Sequence, residues 1–252
     1  MRILYMPAKR NAINANNGVL LVSNSTPAKV YLLNPQNYQT ELLTIPGISS
    51  ASQDIAHTSA KMWLYKGNGS TTISEWNLSS PFSAVFSRDI LYAQNSAGLC
   101  SIDDNNVISA SGYQSNTGQV YKMNLSGSSA SNLIKFKMTA NTRPTGDMIL
   151  TTNGKFIVAN EIYSGAPNYT TTRYISQYDW NSGILEVQVP TNSLVIYGIY
   201  VYDNEIYLVN FNGAIYRIDS NAPYAITYIT TLPFYVNGAS QIPSLCTAYL
   251  KI

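Results

Sequence analysis

The sequence predicts an all-β protein, and three observations carry that reading. Apolar residues show almost no helical period. Short runs rich in Val, Ile, Tyr and Thr recur between clusters of Gly, Asn, Ser and Pro. One segment, a β-branched residue, two spacers, a large apolar residue and then Asn or Asp, returns five times. Its copies are Val30-Tyr31-Leu32-Leu33-Asn34, Ile73-Ser74-Glu75-Trp76-Asn77, Val120-Tyr121-Lys122-Met123-Asn124, Ile175-Ser176-Gln177-Tyr178-Asp179 and Ile215-Tyr216-Arg217-Ile218-Asp219.

The elements around each copy repeat as well. Their final Asn or Asp residues are separated by 43, 47, 55 and 40 residues, steps that suit a unit of four short strands. A strand candidate precedes each copy, at 19–22, 61–65, 107–110, 155–159 and 205–209. The turns before four of these strands share one chemistry: Asn16-Asn17-Gly18, Asp104-Asn105-Asn106, Thr152-Asn153-Gly154 and Asp203-Asn204-Glu205. Asn, Asp and Gly tolerate the positive φ that tight hairpins require. A further strand follows each copy, at 40–45, 83–86, 133–138, 184–189 and 226–231, and an upstream strand such as 195–202 completes four.

Over nearly its whole length the chain resembles the β-propeller superfamily. The likeness is clearest from Asn204-Glu205-Ile206-Tyr207-Leu208-Val209-Asn210 through Gly213-Ala214-Ile215-Tyr216-Arg217-Ile218-Asp219. It is architectural, because the Gly-His and Trp-Asp dipeptides of WD40 repeats and a regular kelch-type Gly-Gly pair are missing. The expectation is one domain over residues 1–252, a propeller of six four-stranded blades, each averaging 42 residues. Residues 240–252 would open the sixth blade, since Ala239-Ser240-Gln241-Ile242 echoes Ala51-Ser52-Gln53-Asp54-Ile55. Residues 2–6 would supply its outer strand, so that N- and C-terminal strands pair and close the ring. Five or seven blades also fit the spacing.

Charged residues make up 11% of the chain, against roughly 25% in ordinary soluble domains, and the formal net charge is +2. No field is available to hold nucleic acid, and no basic run stands out. One His and two Cys exclude a His-rich zinc site, a thiolate cluster and a disulfide scaffold; no metal or cofactor is expected. Calcium would need an Asp-rich loop that the sequence lacks. The apolar stretch behind Met1 breaks at Pro7, which predicts no export signal, and that at 194–202 is too short for membrane insertion.

Catalytic constellations are thin. His57 would have to serve any Ser-His-Asp arrangement, but Asp54, three residues earlier on the same strand, faces the other side, which favours a structural His. Asp103, Asp104 and Asp203 sit beside hairpin turns, where backbone chemistry explains them; Asp147 and Glu161 have no such explanation and no visible partner. Cys100 and Cys246 fall in distant blades and read as buried thiols. Asn24, Asn68, Asn77, Asn124 and Asn168 head glycosylation sequons, with Asn168 the best placed for modification. Twenty Tyr and three Trp suit a binding surface, and the loop at 163–174 has paratope-like composition. Tyr163, Tyr169, Arg173 and Tyr174 are the expected contact residues.

Low charge with abundant Tyr, Asn, Ser and Thr suits an extracellular surface whose contacts do not titrate in acid. This composition is similar to that of virion and surface proteins of thermoacidophilic archaea and their viruses. The expected function is therefore non-enzymatic: a spike, tail or decoration protein of a virus particle, partnered by other virion proteins and contacting a host surface protein or glycan. The rival expectations are a secreted propeller hydrolase acting on polysaccharide and a protein-interaction scaffold.

Overall fold

In the computed structural model, which describes residues 18–66, 72–79, 83–92, 96–111, 118–164 and 170–251, twenty strands form five four-stranded antiparallel sheets. The sheets are the blades of one β-propeller. Blade one takes β1 (Val19–Ser23), β2 (Val30–Leu33) and β3 (Thr40–Leu43) from the start of the described chain. Blade two is β4 (Asp54–His57), β5 (Lys61–Tyr65), β6 (Thr72–Ser79) and β7 (Ser83–Leu91). Blade three is β8 (Gly98–Asp103), β9 (Asn106–Ser111), β10 (Gln119–Asn124) and β11 (Ser131–Lys137). Blade four is β12 (Thr142–Leu150), β13 (Lys155–Ser164), β14 (Thr170–Asp179) and β15 (Leu185–Asn192). Blade five is β16 (Ile196–Tyr202), β17 (Glu205–Asn210), β18 (Ala214–Ile218) and β19 (Ile226–Thr231). Finally β20 (Val236–Ser240) returns to blade one and pairs antiparallel with β1 as its innermost strand.

The repeated five-residue segment is the third strand from the axis in every blade. Of the turns before the second strand, those at Gly154 and at Asp203-Asn204 take the positive φ expected of them, whereas Asp104-Asn105-Asn106 does not, and Asn16-Asn17 lie outside the described residues. Asp203 and Asn204 both have positive φ, at 51° and 59°, the pattern of a type I′ hairpin.

The expectation of six blades is corrected to five. The echo between Ala239-Ser240-Gln241 and Ala51-Ser52-Gln53 does not mark equivalent positions: the earlier segment leads into β4, whereas the later one ends β20, which completes blade one. N- and C-terminal strands do close the ring, through β1 and β20; residues 2–6, expected to take part, lie outside the described residues. Division of the length by six failed because the chain beyond β20 forms no blade. That segment is a tail, clamped between blades four and five by two glutamines. The Gln241 amide accepts from the Val201 N–H at 2.9 Å and donates to the Val201 carbonyl at 2.7 Å. Gln177 treats Leu250 the same way, at 2.8 and 2.9 Å. Backbone bonds from Thr152 to Cys246 and from Lys251 to Ser220 fix the segment between.

Five apolar clusters fill the five clefts between neighbouring blades. Trp76 and Met62 pack toward blade one beside Leu20 and Val22. Trp63 and Tyr65 pack toward blade three with Leu99 and Val107. Phe156 and Val158 meet Ile108 and Val120, Ile199 and Leu208 meet Ile157 and Ile175, and Val209 and Ile215 meet Val19 and Leu21. Alternate residues of one strand thus serve different clefts, so inner strands such as β1 are buried at every position. Each such side chain contributes about 1.5–3 kcal/mol.

At the axis the inner strands approach too closely for side chains. A Cβ on Gly146 would sit 1.9 Å from the Ile196 carbonyl oxygen, and one on Gly238 would sit 1.9 Å from Asp54 Oδ1. Gly98 and Gly198 are similarly confined, at 2.7 Å from Gly146 O and 2.8 Å from the Ala239 Cβ. Gly154 has left-handed φ but open space around it. Gly146→Ala and Gly238→Ala should each lower stability by about 3 kcal/mol or more, whereas Gly154→Ala should cost about 1 kcal/mol, as measured by urea unfolding.

Candidate functional site

Two aspartates hold the axis. Asp54, on β4, accepts from the Ile55 N–H at 2.7 Å with Oδ1 and from the Leu99 N–H of blade three at 2.5 Å with Oδ2. Asp147, on β12, accepts from the Met148 N–H with Oδ1 and from the Ile199 N–H of blade five with Oδ2, both at 2.7 Å. Each carboxylate therefore ties its own blade to the next, and both side chains are 1% exposed.

Burial pushes both carboxyls well above the usual carboxylate range, and the charge of Asp147 raises Asp54 further. A protonated carboxyl still offers a lone pair to each N–H, so the neutral form keeps both blade-to-blade bonds. A pKa raised on folding stabilises the protein fully below the unfolded value, and that contribution is lost as pH rises through the folded value. Asn at either position would turn an NH₂ toward a backbone N–H. Asp54→Asn and Asp147→Asn should therefore each destabilise by about 1–3 kcal/mol. The deficit relative to wild type should be largest near pH 4 and shrink toward pH 8, as followed by urea unfolding across that range.

Above these carboxylates lies a cavity of about 450 Å³. All five blades contribute to its wall at or near the start of their innermost strands: Ser52 and Gln53, Ser96 and Ala97, Pro144 and Thr145, Val195 and Tyr197, and Asn237. It is therefore the axial mouth. Gln53 precedes Asp54 and Thr145 stands two residues before Asp147, which puts the buried carboxylates directly under its floor. Neutral hydrogen-bonding groups line most of the wall; Asn237 donates to the Ser52 carbonyl at 2.8 Å and reaches Asn24 at 3.4 Å.

Blade four supplies most of the charge. Both strands of its central hairpin, β13 and β14, run ten residues. Arg143, Glu161 and Arg173 are direct register partners on β12, β13 and β14, so their side chains form a row across one face. Glu161 is buried, and its Oε1 accepts from Arg143 Nε and the Tyr163 hydroxyl, both at 2.5 Å. The Arg143 guanidinium also lies 4.0 Å from the centre of the Tyr163 ring. Arg173 Nε approaches Glu161 Oε2 at 3.9 Å. Lys66, whose ammonium pairs with Asp89 at 3.5 Å, is the remaining charged residue of the wall.

Of the expected contact residues, Arg173 lines the mouth and Tyr163 supports its Arg–Glu pair, while Tyr174 is on the opposite face of β14. Tyr169 and Asn168 lie outside the described residues. The segment expected to be a loop at 163–174 is mostly strand, since β13 runs to Ser164 and β14 begins at Thr170. The pairing of Glu161 and the axial position of Asp147 were missed, because both depend on register between strands far apart in sequence.

The remaining polar candidates serve the fold. His57 is buried, with Nδ1 2.8 Å from the Ser240 hydroxyl, and its carbonyl accepts from Ser101. Asp103 caps its turn through the Asn105 and Asn106 N–H groups, and Asp104 accepts from the Thr58 hydroxyl. Cys100 and Cys246 are free, buried thiols; burial pushes Cys246 up to about 12. Among the described residues no three His, Cys, Asp or Glu side chains converge as metal donors, and no helix is long and apolar enough to cross a membrane. No protein-family model and no curated protein matches the chain.

Proposed function

We propose that this propeller is a non-enzymatic binding protein that takes a glycan in its axial mouth, and that it works on the surface of a virus particle, with other virion proteins as neighbours. The observation that carries the reading is the state of the axial carboxylates. Asp54 and Asp147 are the inward pair that a polysaccharide hydrolase would need, yet all four oxygens face backbone N–H groups and both residues are 1% exposed. A general acid or nucleophile must touch the substrate, and here the carboxylates lie under a closed floor.

The mouth supports binding on chemical grounds. Its volume of about 450 Å³ falls within the range of small-molecule sites, and Ser, Thr, Asn and Gln side chains complement sugar hydroxyls. Tyr197 offers an aromatic face of the kind that packs against sugar rings. Assignment to a particle surface rests on composition: with 11% charged residues, few surface contacts depend on titrating groups.

The test separates binding from cleavage. Incubated with a panel of soluble polysaccharides, the full chain should retard at least one in affinity electrophoresis and generate no new reducing ends over a day. Reducing-end release by the wild type that Asp147→Asn abolishes would make the protein a hydrolase. Absence from purified particles would remove the virion assignment while leaving the binding reading intact.

A further inference from the structure

The chemistry of the mouth narrows the ligand, and this step rests on the binding reading above. Three cations, Lys66, Arg143 and Arg173, face the cavity against one carboxylate, Glu161. The carboxylate is already committed. Arg143 covers Glu161 Oε1 with its edge while its face rests on Tyr163, so this pair forms a neutral, fixed platform. Arg173 stands differently. It meets Glu161 only across 3.9 Å, and its side chain is 36% exposed, enough to turn a planar guanidinium edge toward the cavity. A guanidinium held beside a neutralised carboxylate, in a concave and partly dehydrated site, attracts an anion in bidentate geometry. Apart from Lys66, whose charge is met by Asp89 at 3.5 Å, the rest of the wall is neutral and matches hydroxyl groups.

We infer that the mouth binds an acidic sugar, its anionic group on Arg173 and its hydroxyls on the neutral wall around Gln53, Thr145 and Asn237.

Calorimetric titration of the full chain with three oligosaccharides of equal length tests this: a uronate, a sulfated and a neutral one. An acidic oligosaccharide should bind about tenfold or more tighter than the neutral one, and that advantage should shrink between 50 and 500 mM salt. The uronate and sulfated arms identify which anion is preferred, and an advantage in either supports the inference. Arg173→Gln should remove the advantage without lowering the unfolding temperature, and Arg173→Lys should keep part of it. Equal affinity for acidic and neutral sugars would overturn the acidic assignment and leave glycan binding standing. An advantage that survives Arg173→Gln in a folded protein would overturn it too. No binding by any of the three would count against the binding reading itself.

Discussion

Backbone contact at the ring axis is the constraint on which the rest of the structure depends. Closing a propeller with only five blades draws the innermost strands together until glycine is the residue that fits at Gly98, Gly146, Gly198 and Gly238. Strands this close leave backbone N–H groups of neighbouring blades turned toward the axis, away from water, where an unpaired donor is costly. Asp54 and Asp147 supply the acceptors. Two residues thereby join blades two to three and four to five. Side chains that answer the needs of the ring in this way are not at the disposal of a substrate.

The same closure accounts for the asymmetry of the molecule. A ring joined by β1 and β20 has chain left after β20, and this tail lies in the cleft between blades four and five, adding Cys246, Ala248 and Leu250 to the cluster there. Gln177 of blade four meets the tail's backbone at Leu250, and Gln241 of the tail meets the blade-five backbone at Val201, each as a neighbouring strand would, satisfying one N–H and one C=O. Blade four is also the blade with the ten-residue hairpin, whose upper part carries Glu161, Tyr163 and Arg173 to the rim. Most of the charge of the mouth therefore falls in the sector that the tail reinforces, with Lys66 of blade two apart from it.

Much of the architecture was legible in the sequence because a blade is built locally. The five-residue segment, its preceding hairpin turn and its following strand lie within one stretch of chain, so residue type and spacing located the outer three strands of each blade, and of the innermost strands the one at 195–202. The blade count was not legible in the same way: Ala239-Ser240-Gln241-Ile242 reads as the opening of a sixth unit over residues 240–252 unless the pairing of β20 with β1 is known. Tyrosine was legible only in part. Tyr65, Tyr92, Tyr178 and Tyr200 fill clefts between blades, while Tyr228 and Tyr235 are exposed, and no local pattern distinguishes the two uses. In the candidate site, Arg173 and Tyr163 stood out by composition. Their partner Glu161, and Arg143 beyond it, became a site only through register across three strands, which no one-dimensional spacing displays.

The central claim is that the axis holds the ring together while the mouth above it binds the ligand. A crystal structure of the protein soaked with a bound oligosaccharide tests it most directly. The account predicts a sugar seated in the mouth, in contact with Arg173 and the neutral wall, with Asp54 and Asp147 still bonded to the Leu99 and Ile199 N–H groups beneath it. A sugar in contact with either aspartate, or one bound away from the axis with the mouth empty, would contradict it.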